Sequence, residues 1–142
     1  ANVTLVDVDD ITLGAVTATG ALNVTATGLV DFAGAGVSTV GGTLGITTTA
    51  GGITDSGAGS LAVTGASTLT ATGLAITLDN AANNFSTVNA SGAAVTLADA
   101  GAIDLGTVTG WALATGPAVH PGVQEFRTGR HTGAGMLERR VP

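Results

Sequence analysis

A five-residue unit recurs three times in this chain, and that recurrence limits the fold more than any other feature. Val16-Thr-Ala-Thr-Gly20 returns as Val24-Thr-Ala-Thr-Gly28 and as Leu69-Thr-Ala-Thr-Gly73. A longer match sets Leu69–Leu78 on Val88–Leu97 at an offset of 19 residues. A Leu-x-[Val/Ile]-Thr unit begins at positions 22, 44, 61 and 74, at spacings of 22, 17 and 13. The repeat is imperfect in length and constant in chemistry. Self-similarity at a period near 20 is the sequence mark of stacked-repeat architectures.

Within each repeat the pattern has period two. Val3-Thr4-Leu5, Ile11-Thr12-Leu13, Leu22-Asn23-Val24-Thr25, Leu44-Gly45-Ile46-Thr47, Leu61-Ala62-Val63-Thr64, Leu74–Leu78 and Val95-Thr96-Leu97 alternate apolar residues with Thr or small ones. Such alternation buries one face of a strand and wets the other. Each segment is three to five residues long and a Gly follows closely, as at Gly14, Gly20, Gly28, Gly65, Gly73 and Gly110. Asn-Gly and Asp-Gly, the tight-hairpin dipeptides, do not occur, and the first Pro is Pro117. The turns therefore read as open corners, not hairpin reversals.

Short strands, small corners and a period near 20 predict an all-β, right-handed parallel β-solenoid. About five coils fit in residues 1–110, a rod of about 24 Å at about 4.8 Å per coil. A narrow interior suits Val, Ile, Leu and Ala, and only Phe32 and Phe85 supply aromatic rings there. Both ends of such a rod are strand edges open to further pairing.

Composition divides the chain. Residues 1–110 use ten residue types only, without Glu, Gln, Lys or Arg, the residues that normally fill helix surfaces. All eight Asp lie there without a base, giving −8. The remaining 32 residues hold four Arg against two Glu, giving +2, which accounts for the net charge of −6. The expected division is a solenoid over 1–110 and an extended, Pro-, Arg- and His-containing tail over 111–142, docked on the rod or on a neighbouring subunit. Four Arg and no Lys are too few to replace the counterions of a nucleic acid. The absence of Cys excludes a disulfide framework and a thiolate metal site. Residues 32–54 hold no charge, but Gly and Thr interrupt them throughout, so they are not a spanning helix. A transmembrane barrel would need strands of about ten residues and aromatic girdles. Neither nucleic acid binding nor membrane insertion is expected.

The runs Gly59–Leu78 and Val88–Gly110 resemble filamentous-haemagglutinin-type repeats, found in two-partner-secreted exoproteins and autotransporter passengers of Gram-negative bacteria. The resemblance covers about 11–110 and implies a parallel β-helix on, or released from, the cell surface. It also implies an extracellular location, to which the lack of Cys conforms, and a chain shorter than is usual for such proteins. Ala1 opens directly in strand-like sequence, which points to processing or truncation upstream.

No catalytic constellation is visible. Residues 1–110 hold no His, Cys, Glu, Lys, Arg or Tyr, which leaves no general base near neutrality. No enzyme activity and no cofactor are expected. Asp7 and Asp9 would share one strand face as a carboxylate pair, although a solvated acidic surface accounts for them equally well. His120 and His131 lack the short spacing of metal ligands. Thr25/Thr27, Thr47/Thr49 and Thr70/Thr72 recur at spacings of 22 and 23 and would form an outward hydroxyl ladder, which Asn89 and Ser91 would interrupt on the next coil. Arg127, Arg130, Arg139 and Arg140 are candidate docking charges of the tail. Four sequons, at Asn2, Asn23, Asn84 and Asn89, permit glycosylation.

These features predict a non-enzymatic, secreted or surface-bound structural and adhesive module. Its partners would be adjacent repeats or other copies of itself, and a host-cell or surface glycan receptor. One alternative is a filament subunit that stacks end to end. Another is an ice-binding solenoid that presents its Thr ladder.

Overall fold

A computed structural model describes the backbone of residues 1–121, 129–131 and 136–141 and the side chains of residues 1–117. Among the described residues there is no helix. The strands are β1 (Val3–Asp7), β2 (Ile11–Leu13), β3 (Thr17–Ala18), β4 (Leu22–Ala26), β5 (Val30–Phe32), β6 (Ser38–Val40), β7 (Leu44–Thr48), β8 (Ile53–Thr54), β9 (Leu61–Val63), β10 (Ser67–Leu78), β11 (Thr87–Ala98), β12 (Ala102–Thr115), β13 (Ala118–Pro121), β14 (Gly129–His131) and β15 (Met136–Val141). Everything through β13 pairs in parallel, and like strands stack coil on coil. The molecule is a β-solenoid of about five turns.

Three faces wind around one core. The first face runs β1–β4–β7 and continues through the leading halves of β10, β11 and β12. The second runs β2–β5–β8 and continues through the trailing halves of the same three strands. The third is the short sheet β3–β6–β9, extended by one bridge from Ala62 to Asn84. Alternation decides which side chains enter. In β4 and β7 the first, third and fifth residues are buried, so Leu22, Val24 and Ala26 sit in register with Leu44, Ile46 and Thr48. On the second face Val30, Ile53, Ile76 and Val95 form one fully buried column. Each such side chain contributes about 1.5–3 kcal/mol when withdrawn from water. Phe32 and Phe85 are both buried.

The coil length varies. The offset is 19 residues from Val3 to Leu22, 22 from Leu22 to Leu44, and 23 from Leu44 to Ser67. It is 21 from Ser67 to Val88 and 17 from Val88 to Leu105. This corrects the sequence match of Leu69–Leu78 on Val88–Leu97. The 19-residue offset holds on the second face, where Ile76 pairs with Val95 and Leu78 with Leu97. On the first face the offset is 21, so Leu69 pairs with Ala90 and Ser67 with Val88. The register shift lies between Ala71 and Ala75, and Gly73 there takes a φ of +79° that L side chains rarely adopt. The extra residues loop outward at the corner while both faces keep their inward columns.

The same region corrects the expected strand length. Segments of three to five residues hold for the first three coils, but β10 and β11 have 12 residues and β12 has 14. Each runs through the corner between the first two faces without a break. In β12 the corner residue is Gly110, with φ +105°, and a Cβ there would overlap the Gly92 carbonyl oxygen. Parallel pairing continues past residue 110 as far as Ala98 with Thr115. Beyond it the direction changes: β15 pairs antiparallel with β12 and with β14.

Candidate functional site

The outward side of the first face is built by the side chains that alternate with the core. One column runs Thr25, Thr47, Thr70, Ser91 and Thr109, each in register with the next. The hydroxyls therefore repeat at about the 4.8 Å strand spacing over five successive coils. A second column, two residues nearer the strand start, runs Asn23, Gly45, Thr68 and Asn89. A shallow groove lies between the two, lined by Thr68, Thr70, Asn89, Ser91, Thr107 and Thr109. No charged residue stands in either column.

The structure brings three of the six sequence-selected threonines into one ladder. Thr25, Thr47 and Thr70 are aligned. Thr27 and Thr49 lie just past the ends of β4 and β7, on bends, and Thr49 Oγ1 donates to the Thr27 carbonyl at 3.5 Å. Thr72 lies in the looped-out corner, 3.4 Å from the Ser91 hydroxyl. The expected interruption by Asn89 and Ser91 does not occur in the anticipated place. The two-residue shift seats Ser91 on Thr70, which prolongs the hydroxyl column, and Asn89 on Thr68.

A further hydroxyl column escaped the sequence reading. On the second face Thr12, Asp31, Thr54, Thr77 and Thr96 are in register and point outward or lie half-buried. Asp31 interrupts it and ties two coils together. Its Oδ1 accepts from the Thr54 hydroxyl at 2.9 Å and the Ser56 N–H at 3.0 Å, and its Oδ2 accepts from the Ser56 hydroxyl at 2.6 Å. Partial burial would raise the Asp31 carboxyl, but these bonds outweigh it and hold the group below the ordinary aspartate range. The signal was the Thr that closes each Leu-x-[Val/Ile]-Thr unit, whose face could not be assigned before the corners were known.

The acidic cluster is not the expected carboxylate pair. β1 ends at Asp7, and Asp9 lies beyond it on a bend. The Asp7 carboxylate accepts the Asp9 N–H at 2.9 Å, a local turn bond. Asp10 Oδ1 accepts the Leu29 N–H of the next coil at 2.7 Å. These carboxylates hold backbone. Among the described residues no group of three or more His, Cys, Asp or Glu is placed to hold a metal ion. No helix is long and apolar enough to cross a membrane.

A third polar cluster is buried, and sequence reasoning missed it entirely. Asp55, Asn83 and Asp99 are 6%, 0% and 4% exposed. They lie at the corner between the second and third faces, where the third sheet ends at β9. Asp55 accepts from the Asp79 N–H at 3.1 Å, the Asn80 N–H at 3.2 Å and Asn83 Nδ2 at 2.7 Å. Asn83 Oδ1 accepts the Leu61 N–H at 2.8 Å. Asp99 accepts the Phe85 N–H at 2.6 Å and the Gly101 N–H at 2.7 Å. Side chains here replace the missing strand ladder and hold connector 79–86 onto its neighbours. The only available signal was the concentration of Asx residues in Asp79-Asn80-Ala-Ala-Asn83-Asn84.

Of the sequon asparagines, Asn2 and Asn89 accept backbone N–H groups of Ala21 and Thr107, and Asn23 and Asn84 are exposed. Of the selected arginines, Arg127 lies outside the described residues. Arg130 is on β14, and Arg139 and Arg140 on β15 are in register with Ala112 and Trp111 of β12.

A stack of unequal coils, uncharged outward columns and Asx-braced corners defines a repeat β-solenoid. The chain matches the family described as repeats of unknown function (DUF5649) over residues 1–35 and 31–91, more than half its length, and it belongs to that family. No curated protein and no solved structure matches it.

Proposed function

We propose that the chain is a non-enzymatic structural and adhesive module of a secreted or surface-exposed repeat protein, of the kind its filamentous-haemagglutinin-like repeats suggest. The observation that carries this reading is the first face: an uncharged wall of hydroxyl and amide side chains, in register over five coils and flanked by a shallow groove. Such a surface offers donors and acceptors at a fixed spacing without charge, which suits neutral glycans better than ionic partners. The carboxylates support the reading from the other side. Asp7, Asp10, Asp31, Asp55 and Asp99 all accept hydrogen bonds that hold the rod's own backbone or hydroxyls. The test is adhesion of beads coated with the purified chain to cells and to immobilised neutral glycans. Binding that Thr47→Lys and Thr70→Lys abolish supports the reading. Failure to bind either surface overturns its adhesive part.

The aligned column Thr25–Thr47–Thr70–Ser91–Thr109 favours ice binding as a second reading. Thermal hysteresis in wild type that the same two substitutions remove would establish it, and absence of hysteresis ends it. End-to-end filament growth has support at one end only. There β1, β2 and β3 each have a partner on a single side. At the other end β13 and β15 cover part of β12. Negative-stain images at low concentration separate single rods from fibres.

A further inference from the structure

The brace at the corner of the second and third faces consists of carboxylates, and no cation accompanies it. Residues 1–117 contain no Lys, Arg or His. Asp55 follows β8, at the level where Phe32 lies on the coil below and Leu78 on the coil above, so a carboxylate occupies an apolar column. Its three hydrogen-bond donors all come from the connector after β10. Asp99 repeats the arrangement one coil on, with Phe85 and Gly101 as donors.

We propose that this brace is an acid-tightened latch: the rod is most stable in mildly acidic solution, and raising the pH to neutrality loosens the corner at connector 79–86 first. The charged groups near Asp55 are Asp31 on β5 and Asp79 at the end of β10. Near Asp99 stand Asp79, Asp104 on β12, and His120, which is in register with Asp104 on β13. All but His120 are anionic at neutrality, so they oppose a second charge at the corner.

Burial pushes both carboxyls up. The donors on Asp55 from Asn83, Asn80 and Asp79 pull the other way and the Asp79 charge adds to burial, leaving Asp55 raised above the ordinary value. Asp99 is raised by burial against the pull of Phe85 and Gly101. A carboxyl raised in the fold takes its proton there before the unfolded chain does. The folded state therefore gains stability as pH falls through the folded values, down to about 3.9, and loses that gain as pH rises again. Asp31 is lowered and acts oppositely, withdrawing stability only below about pH 4. The maximum falls in the acid window between.

The experiment is thermal unfolding of the full chain between pH 4 and pH 7.5, paired with carboxyl-carbon NMR titration of the Asp residues. The latch predicts a midpoint that rises by about 3 °C or more from pH 7.5 to pH 4.5, with Asp55 and Asp99 resonances titrating above the ordinary aspartate range. The rise should persist in His120→Gln and shrink in the double variant Asp55→Asn/Asp99→Asn. A flat or falling midpoint, Asp55 and Asp99 titrating at or below the ordinary range, or loss of the rise in His120→Gln would each overturn the proposal. The NMR arm needs no substitution, so it decides even if the double variant does not fold.

Discussion

Asp10 and Gly28 meet across the first turn of the rod. Asp10 Oδ1 accepts the Leu29 N–H at 2.7 Å and occupies the space that a Cβ at position 28 would fill. The pairing recurs. Asn2 reaches the Ala21 N–H over Gly20, and Asn89 reaches the Thr107 N–H over Gly106. An Asx side chain on one coil thus replaces a ladder bond at a corner, and a glycine on the next coil leaves it room. Much of the glycine content follows from this close approach of coil to coil and not from turn conformation, since only Gly73 and Gly110 among the described residues have positive φ.

Gly28→Ala should therefore destabilise the fold by about 1–3 kcal/mol through overlap with the Asp10 side chain. Gly51→Ala should be at least as damaging, because its Cβ would meet the Leu29 N and Gly28 carbonyl carbon of the backbone, which cannot rotate away. Gly14→Ala is the control. Nothing lies within 4 Å of its Cβ position, so the change should be neutral or stabilise by up to about 1 kcal/mol. Denaturant unfolding midpoints of the three variants check the ranking.

Ser67 stands in the interior column between Leu44 and Val88, and its buried hydroxyl has no hydrogen-bond partner. Ser67→Ala removes that group at little cost in packing and should stabilise the rod by about 1 kcal/mol. Ile53→Ala, in the fully buried column between Val30 and Ile76, should lose about 2–5 kcal/mol. Thermal melts of both variants at one pH measure the two signs together.

Thr47→Lys alters an exposed residue of the hydroxyl column and should leave stability within about 0.5 kcal/mol of wild type. Its effect should fall on surface adhesion alone. Equal losses of adhesion and of melting temperature would mean that the column serves packing instead.

The architecture was legible because a repeat fixes it many times over. Alternation in Leu22–Ala26 and Leu44–Thr48 assigns inward and outward residues without reference to the rest of the chain, and the spacing of 22 between Thr25 and Thr47 equals the coil length found there. What escaped was whatever depends on corners. The match of Leu69–Leu78 with Val88–Leu97 is correct beyond the corner and two residues out before it, because residues looped out at Gly73 leave no mark on the alternation. The Asp55–Asn83–Asp99 brace was illegible for a different reason. An inward Asp at the end of a strand looks in sequence like an ordinary turn residue, and only the coil above supplies its donors.

The register between the fourth and fifth coils tests this account most directly. Nuclear Overhauser contacts across the first face should join the strand backbones at Thr70 and Ser91, and at Leu69 and Ala90, while the second face joins Ile76 and Val95. That combination of a 21-residue and a 19-residue offset within one pair of strands is the result the coil stack requires. Contacts joining Thr70 with Asn89, at a uniform offset of 19, would contradict it and would break the hydroxyl column at Thr70.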